Sequence, residues 1–86
     1  MFYFYVLKST KDKNLYFGFT KDLKKRLIEH NSGKEKSTQN RKPFKLVYYE
    51  AYLSEDEARN RERQIKHRAK ALISLKQRIK KSISLI

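Results

Sequence analysis

The chain has 86 residues, enough for one domain with one core and too few for two. The absence of cysteine excludes disulfides and thiolate metal sites, and a content of 38% apolar residues excludes a disordered chain. The formal net charge of +13 favours a polyanionic partner, because so small a body otherwise repels itself.

The basic charge is concentrated near the C-terminal end. No acidic residue follows Glu62, whereas eight cationic residues do: Arg63, Lys66, Arg68, Lys70, Lys76, Arg78, Lys80 and Lys81. This distribution predicts a nucleic acid bound through its phosphates. From charge alone, a solvated helix surface and a basic helix lying on anionic lipid stay open as alternatives.

Two strands are predicted at the start of the chain. Phe2 to Lys8 and Asn14 to Thr20 are rich in aromatic and β-branched residues, and the polar stretch between them favours a hairpin. Gly18 interrupts the second strand. A glycine there makes room either for a ligand phosphate or for an aromatic ring of the facing strand.

A helix is predicted next, with Thr20 as its N-cap and Asn31-Ser32-Gly33 as its end. Its apolar residues fall on one side: Leu23, Leu27 and Ile28. Arg26 and His30 are four residues apart and therefore share a face of this helix.

The second half of the chain begins with a loop, Lys34 to Lys42, and a third strand, Phe44 to Leu53. Ser54 to Glu57 fits a capping box and predicts the start of a second helix. A later apolar stripe predicts a third helix: Leu72, Leu75, Ile79, Ile83 and Ile86. The order β-β-α-β-α-α predicts one α+β domain over residues 1–86, with a three-stranded antiparallel sheet packed against three helices.

Five side chains could carry chemistry if the fold brings them together. Tyr5 and Tyr16 lie on the paired strands, Arg26 and His30 share a helix face, and Glu62 lies on the apolar stripe of the second helix. A carboxylate in such a place is rarely left unpaired. Taken singly, each side chain has a structural explanation: strand tyrosines fill space, an Arg and His pair is often solvated, and Glu62 suits an ion pair.

The sequence resembles the GIY-YIG nuclease family, in particular its short free-standing bacterial members. Tyr3-Phe4-Tyr5 stands where the first motif ends in Tyr, and Tyr16-Phe17-Gly18 stands where the second has Tyr, a hydrophobe and Gly. Arg26 and His30 take the places of the Arg, and of the His or Tyr one turn later, on the first helix of the family.

Three later segments extend the resemblance: residues 30–33, 45–50 and 62–66. The resemblance runs from about Phe2 to about Lys70. The chain is also similar to the N-terminal domain of the excision-repair nuclease subunit. Glu62 corresponds to the metal-binding Glu of the last family block. Tyr-Phe-Tyr replaces Gly-Ile-Tyr in the first motif, and the late Asn of several members has no match, Gln77 being the nearest candidate.

The resemblance implies a metal-dependent endonuclease, a phosphodiester hydrolase acting on DNA. Glu62 would hold Mg²⁺ or Mn²⁺, and Arg26 would bind the phosphate. One of Tyr5 and Tyr16 would take the proton from water, which requires a phenol pKa well below the usual ~10, and His30 would orient a tyrosine or shuttle the proton. The expected nucleic-acid-binding residues are cationic: Lys24, Lys25, Arg63, Lys66, Arg68, Lys76, Arg78 and Lys80.

Other functions and several properties stay open. The first alternative is a non-catalytic nucleic-acid-binding module that retains the fold, and the second is a basic adaptor that docks on an acidic protein. No signal peptide or membrane-spanning run is visible, so we expect a cytoplasmic protein without a membrane partner or small-molecule cofactor. A role in DNA repair, and a preference for DNA over RNA as substrate, are implied only by the resemblance. The structure of the substrate and the oligomeric state of the protein are open.

Overall fold

The computed structural model describes residues 1–86, which form a three-stranded antiparallel sheet flanked by helices. The elements in chain order are β1 (Phe2–Ser9), β2 (Leu15–Thr20), α1 (Leu23–Ser32), β3 (Phe44–Tyr52), α2 (Glu55–His67), α3 (Ala69–Arg78) and α4 (Lys80–Ser84). The strand order is β2-β1-β3. This confirms the predicted α+β class and order β-β-α-β-α-α, with one short helix added at the end. No helix is long and apolar enough to cross a bilayer.

The central strand β1 is buried on both faces because its side chains alternate between them. We call these the Phe4 face and the Tyr5 face. The Phe4 face packs on α2, α3 and the residue after α3, through Phe4, Val6, Ile65, Leu75 and Ile79. The Tyr5 face packs on α1 and the start of β3, through Tyr5, Leu7, Phe44, Leu23 and Leu27. The helices therefore enclose the sheet as two outer layers.

The N-cap of α1 differs from the prediction. Asp22 is the cap, since its carboxylate accepts the backbone N–H of Lys25 at 3.1 Å. Thr20 stays in β2, paired with Tyr3, and its hydroxyl accepts the N–H of Asp22 at 3.1 Å. The prediction of Thr20 was wrong because the strand continues to that residue. Gly33 ends the helix as predicted, with φ +80°, which suits a residue without Cβ.

The structure also shows how α2 begins and where the apolar C-terminal stripe is divided between α3 and α4. The Ser54 hydroxyl accepts the N–H of Glu57 at 3.3 Å, as half of the predicted capping box. The backbone is extended at Arg68, which separates α2 from α3, and changes again at Ile79, before α4. Neither site has a Gly or Pro, so local sequence signals do not mark these breaks.

Candidate active site

Tyr5 lies at the centre of the site, buried on β1. Its neighbour across the ladder on β2 is Gly18. A side chain at position 18 would overlap the Tyr5 ring and hydroxyl. Of the two explanations for this glycine, room for an aromatic ring of the facing strand is the one that the structure shows.

His30, on the buried side of α1, holds the Tyr5 hydroxyl. Its Nε2 lies 2.8 Å from the Tyr5 hydroxyl, and its Nδ1 lies 2.8 Å from the hydroxyl of Thr38. The Thr38 hydroxyl donates its proton to the Glu35 carbonyl at 3.4 Å and can therefore only accept from His30. The proton of the neutral His30 ring is thus on Nδ1, and Nε2 accepts a hydrogen bond from the Tyr5 hydroxyl. Burial, together with the charge of Arg26, lowers the pKa of His30, which is therefore neutral at neutral pH.

The Tyr5 hydroxyl is protonated in the protein without bound metal or substrate. Burial raises the pKa of Tyr5 to about 12, although the Arg26 guanidinium beside the hydroxyl acts in the opposite direction. The nearby Glu62 carboxylate adds to the increase. Tyr5 therefore lacks the lowered pKa that a phenol acting as general base needs, because loss of hydration outweighs the neighbouring cation.

Arg26 lies on the same face of α1 and is held by two carboxylates. Its guanidinium pairs with Glu35 at 2.7 Å and with Glu29 at 3.3 Å, while 28% of its side chain stays exposed. Burial opposes its charge, but the hydrogen bonds that its guanidinium donates to Glu35 and to the Tyr5 hydroxyl raise the pKa of Arg26 above its usual range. A permanent, partly exposed cation thus lies beside the Tyr5 hydroxyl.

Tyr16 completes the aromatic part of the site from β2. Its ring centroid lies 5.0 Å from that of His30 and 6.4 Å from that of Tyr5. Tyr16 is half-buried, and no protein group hydrogen-bonds its hydroxyl. Unlike Tyr5, it keeps its hydroxyl available for a substrate or a water molecule.

Glu62 reaches the site from α2. Its side chain is 22% exposed and pairs with Lys66 at 3.0 Å. The Lys66 ammonium lies 5.9 Å from the Tyr16 ring centroid, which puts this lysine at the site as well. Glu62 is partly exposed rather than deeply buried, and the structural ion pair considered for it is present.

The chemistry of Glu62 fits a hard divalent cation. No group of three or more His, Asp or Glu side chains forms a ready-made metal cage anywhere in the chain. One accessible carboxylate is nevertheless the kind of ligand that Mg²⁺ takes when it keeps waters and binds substrate phosphate oxygens. Glu62 is the acidic side chain whose charge reaches Tyr5 and whose ion-pair partner lies over Tyr16.

The expected nucleic-acid-binding residues lie on several surfaces. Lys24 and Lys25 are exposed on α1, next to Arg26. The exposed cations of the other helical layer lie on or beside α2, α3 and α4: Arg63, Arg68, Lys76, Arg78 and Lys80. Gln77, considered as a replacement for the late Asn, lines a groove there with Lys76 and Lys80.

Sequence reasoning missed Thr38 and Glu35. Both belong to the stretch 34–42, which has no regular secondary structure, as predicted for a loop. Thr38 is nevertheless fully buried against His30, and Glu35 holds Arg26. No periodic pattern could identify them, because their contacts depend on how the loop folds back over α1.

Comparisons with known proteins agree with this architecture. The family model of the GIY-YIG catalytic domain matches residues 1–77. A UPF0213 protein of Bacillus pumilus is 49% identical over 65 residues, which are 74% of this chain and 65% of that protein. A UPF0213 protein of Staphylococcus saprophyticus is 46% identical over 65 residues, 74% of this chain and 78% of that protein.

One solved structure shares the fold. The solution NMR structure of a UPF0213 protein from Bacillus halodurans is 40% identical, with a TM-score of 0.52, over 88% of this chain and 86% of that chain. The chain spans just under two thirds of the Bacillus pumilus relative and more of the other two. The family match covers well over half of the sequence, and the chain belongs to the GIY-YIG catalytic domain family.

Proposed function

We propose that residues 1–86 form one catalytic domain that hydrolyses phosphodiester bonds of nucleic acid in a metal-dependent reaction, with DNA as substrate. Membership of the GIY-YIG family supports nuclease activity. The observation that carries the proposal is the cluster of Tyr5, Tyr16 and His30, with the charges of Arg26 and Glu62 near enough to act on the Tyr5 hydroxyl. These five side chains come from four elements. None of the five is near another in sequence except Arg26 and His30.

Arg26 binds the scissile phosphate and stabilises the charge that grows on it. Its guanidinium is preorganised by Glu35 and Glu29, so little reordering is needed when substrate arrives. The ion pairs do not enclose it, because more than a quarter of its side chain is exposed. A phosphate oxygen can therefore reach the free side of the guanidinium.

The two tyrosines have different roles in this proposal. Tyr5 donates a hydrogen bond to neutral His30, and its pKa is raised to about 12. It therefore keeps its proton and helps to position the site rather than acting as a base. Tyr16 has a hydroxyl without a protein partner, so it is the phenol that contacts the attacking water. It relays the proton of that water, passing its own proton to solvent as it takes up the new one. His30 fixes Tyr5 and presents its ring to Tyr16.

Glu62 would hold the Mg²⁺ or Mn²⁺, with its carboxylate released from Lys66. When bound, that ion neutralises phosphate charge and promotes the ionisation of water. Lys66, once free of Glu62, remains a cation near Tyr16 and the incoming phosphate.

A second function is favoured by one observation. Arg26 and Glu62, the proposed phosphate and metal ligands, are both engaged in ion pairs, which suits a nucleic-acid-binding module without turnover. Metal-dependent cleavage separates this module from the nuclease.

The test is incubation of purified protein with labelled linear, nicked, branched and single-stranded DNA, and with matched RNA, with and without Mg²⁺ or Mn²⁺. The proposal predicts cleavage that needs the metal and stops with a chelator. Binding without cleavage of any substrate would favour the binding module. Absence of both, with binding to acidic proteins instead, would favour the adaptor.

A further inference from the structure

The Tyr5 face continues beyond the candidate active site onto an exposed aromatic surface. Tyr49 of β3 pairs with Tyr5 across the ladder and is 51% exposed. The ring of Tyr3, two residues before Tyr5 and on the same face, lies edge-on to Tyr49 with centroids 5.9 Å apart. The two rings form what we call the Tyr3–Tyr49 platform. Tyr49 is too exposed for core packing to explain it.

A pocket of about 510 Å³ borders this platform, within the roughly 300–1,000 Å³ of small-ligand sites. Its floor is apolar, formed by Tyr3, Leu23, Leu27 and Leu46. Lys21 and Lys24 line its rim, together with one acidic residue, Asp22, whose carboxylate is already engaged as the N-cap of α1. The surface thus combines aromatic faces with cations.

This combination fits one part of a nucleotide strand. Aromatic faces stack on nucleobases, and lysines pair with the phosphates between them. A base inside a duplex has both faces covered by its neighbours, so only an unpaired base can stack on a protein ring. Apolar protein partners would not need the two lysines at the rim.

We infer that Tyr3 and Tyr49 form a stacking subsite for one unpaired nucleobase, with Lys21 and Lys24 holding the adjoining phosphate. The inference rests on the proposed nuclease function and narrows its substrate. Tyr49 lies across the ladder from Tyr5, so the platform is on the same face of the sheet as the candidate active site. In this proposal the stacked nucleotide is next to the scissile phosphate. The substrate therefore has an unpaired base beside the cleavage position, in a single strand or in the flap of a branched duplex.

The test measures binding without cleavage. Oligonucleotides carrying a single 2-aminopurine are titrated with protein in EDTA, as a single strand, as a duplex with an unpaired flap, and as a fully paired duplex. Stacking on a tyrosine quenches 2-aminopurine fluorescence. We expect quenching and tighter binding with the single strand or the flapped duplex, and the comparison of these two arms distinguishes the source of the unpaired base.

Four variants sharpen the result. Tyr49→Leu should remove the quenching and weaken binding of the unpaired base on the order of tenfold. Tyr49→Phe keeps the ring and should bind like the wild type. Lys76→Gln, far from the platform on α3, should weaken all three substrates alike and leave the quenching intact. Tyr3→Leu repeats the test if Tyr49→Leu alters the fold by circular dichroism.

The outcomes are distinct. If Tyr49→Leu binds and quenches like the wild type, or the fully paired duplex binds as tightly as the single strand, the stacking subsite is wrong, while cleavage by the wild-type protein would still support the nuclease. If the wild-type protein binds none of the three substrates, the proposed function fails and the subsite with it.

Discussion

At the scale of single residues, the two tyrosines of the site differ in their hydrogen bonds. We predict that Tyr16→Phe abolishes cleavage without changing stability, because its hydroxyl has no protein partner. Tyr5→Phe should instead lower the free energy of unfolding by about 1–3 kcal/mol, since His30 Nε2 loses its partner in a buried site. Urea unfolding and cleavage assays measure both effects. A Tyr16→Phe variant that cuts like the wild type would contradict the role of Tyr16.

This difference could not be read from the sequence. Both tyrosines match a family motif and lie on adjacent strands, so pattern alone treats them equally. Which hydroxyl is buried depends on where the His30 ring lies, 25 residues from Tyr5 along the chain. The positions of the candidate residues were predictable, whereas their protonation was not.

Arg26 gives a second prediction at this scale. Arg26→Ala should reduce turnover on the order of 10²-fold or more, because one preorganised cation at the growing charge is lost. Affinity for substrate should change little, since Arg26 is one of 22 lysines and arginines. Steady-state cleavage and filter binding measure the two quantities. Arg26→Lys, which keeps the charge without the planar fork, should recover only part of the rate. Equal losses in turnover and affinity would make Arg26 an ordinary phosphate contact.

At the scale of elements, the packing of the 34–42 loop on α1 sets the geometry of the site. Thr38→Val removes the acceptor of the His30 Nδ1 proton and should destabilise the fold by about 1–3 kcal/mol. Thr38→Ser keeps a hydroxyl and is the matched control. Nitrogen NMR of the His30 ring should report a proton on Nδ1 in the wild type and in Thr38→Ser. A proton on Nε2 in the wild type would contradict the proposed hydrogen-bond direction.

The elements themselves were largely predictable, with errors where two local signals compete. Thr20 and Asp22 are both good N-caps, and only the strand pairing of Thr20 with Tyr3 decides between them. The stripe from Leu72 to Ile86 correctly predicts helix, but it gives no sign of the change in backbone at Ile79. Leu75 and Ile79 are both buried in the cluster on the Phe4 face, on the two sides of the point where α3 ends.

At the scale of the whole molecule, burial of neutral His30 predicts an acid limit to stability. The pKa of His30 is lower in the folded protein than its ordinary value of 6.5. As the pH drops through that value, His30 therefore takes up a proton in the unfolded chain while it is still neutral in the folded protein. The free energy of unfolding should therefore fall as the pH drops below about 6.5. Above about 10 it should fall again, because Tyr5, with a folded pKa of about 12, ionises first in the unfolded chain.

Urea unfolding as a function of pH tests this dependence. The chain has two histidines, and His67 is exposed, so His67→Gln leaves His30 as the one histidine that can titrate. This variant should keep the decrease between about pH 6.5 and 5.5, a range above the ordinary carboxyl pKa values. A flat profile there in His67→Gln would show that His30 is not buried in its neutral form.

Glu62→Gln tests most directly whether Glu62 acts in a metal-dependent active site. The chain supplies a matched control, because Glu55 pairs with Arg59 four residues later on the same helix, as Glu62 does with Lys66. Both pairs are partly exposed, so each substitution should change stability by about 1 kcal/mol or less. The measurement is the rate of DNA cleavage in Mg²⁺ or Mn²⁺ by the two variants at equal folded concentration. We predict that Glu55→Gln cuts like the wild type and that Glu62→Gln does not cut. Equal cleavage by both variants would contradict the account.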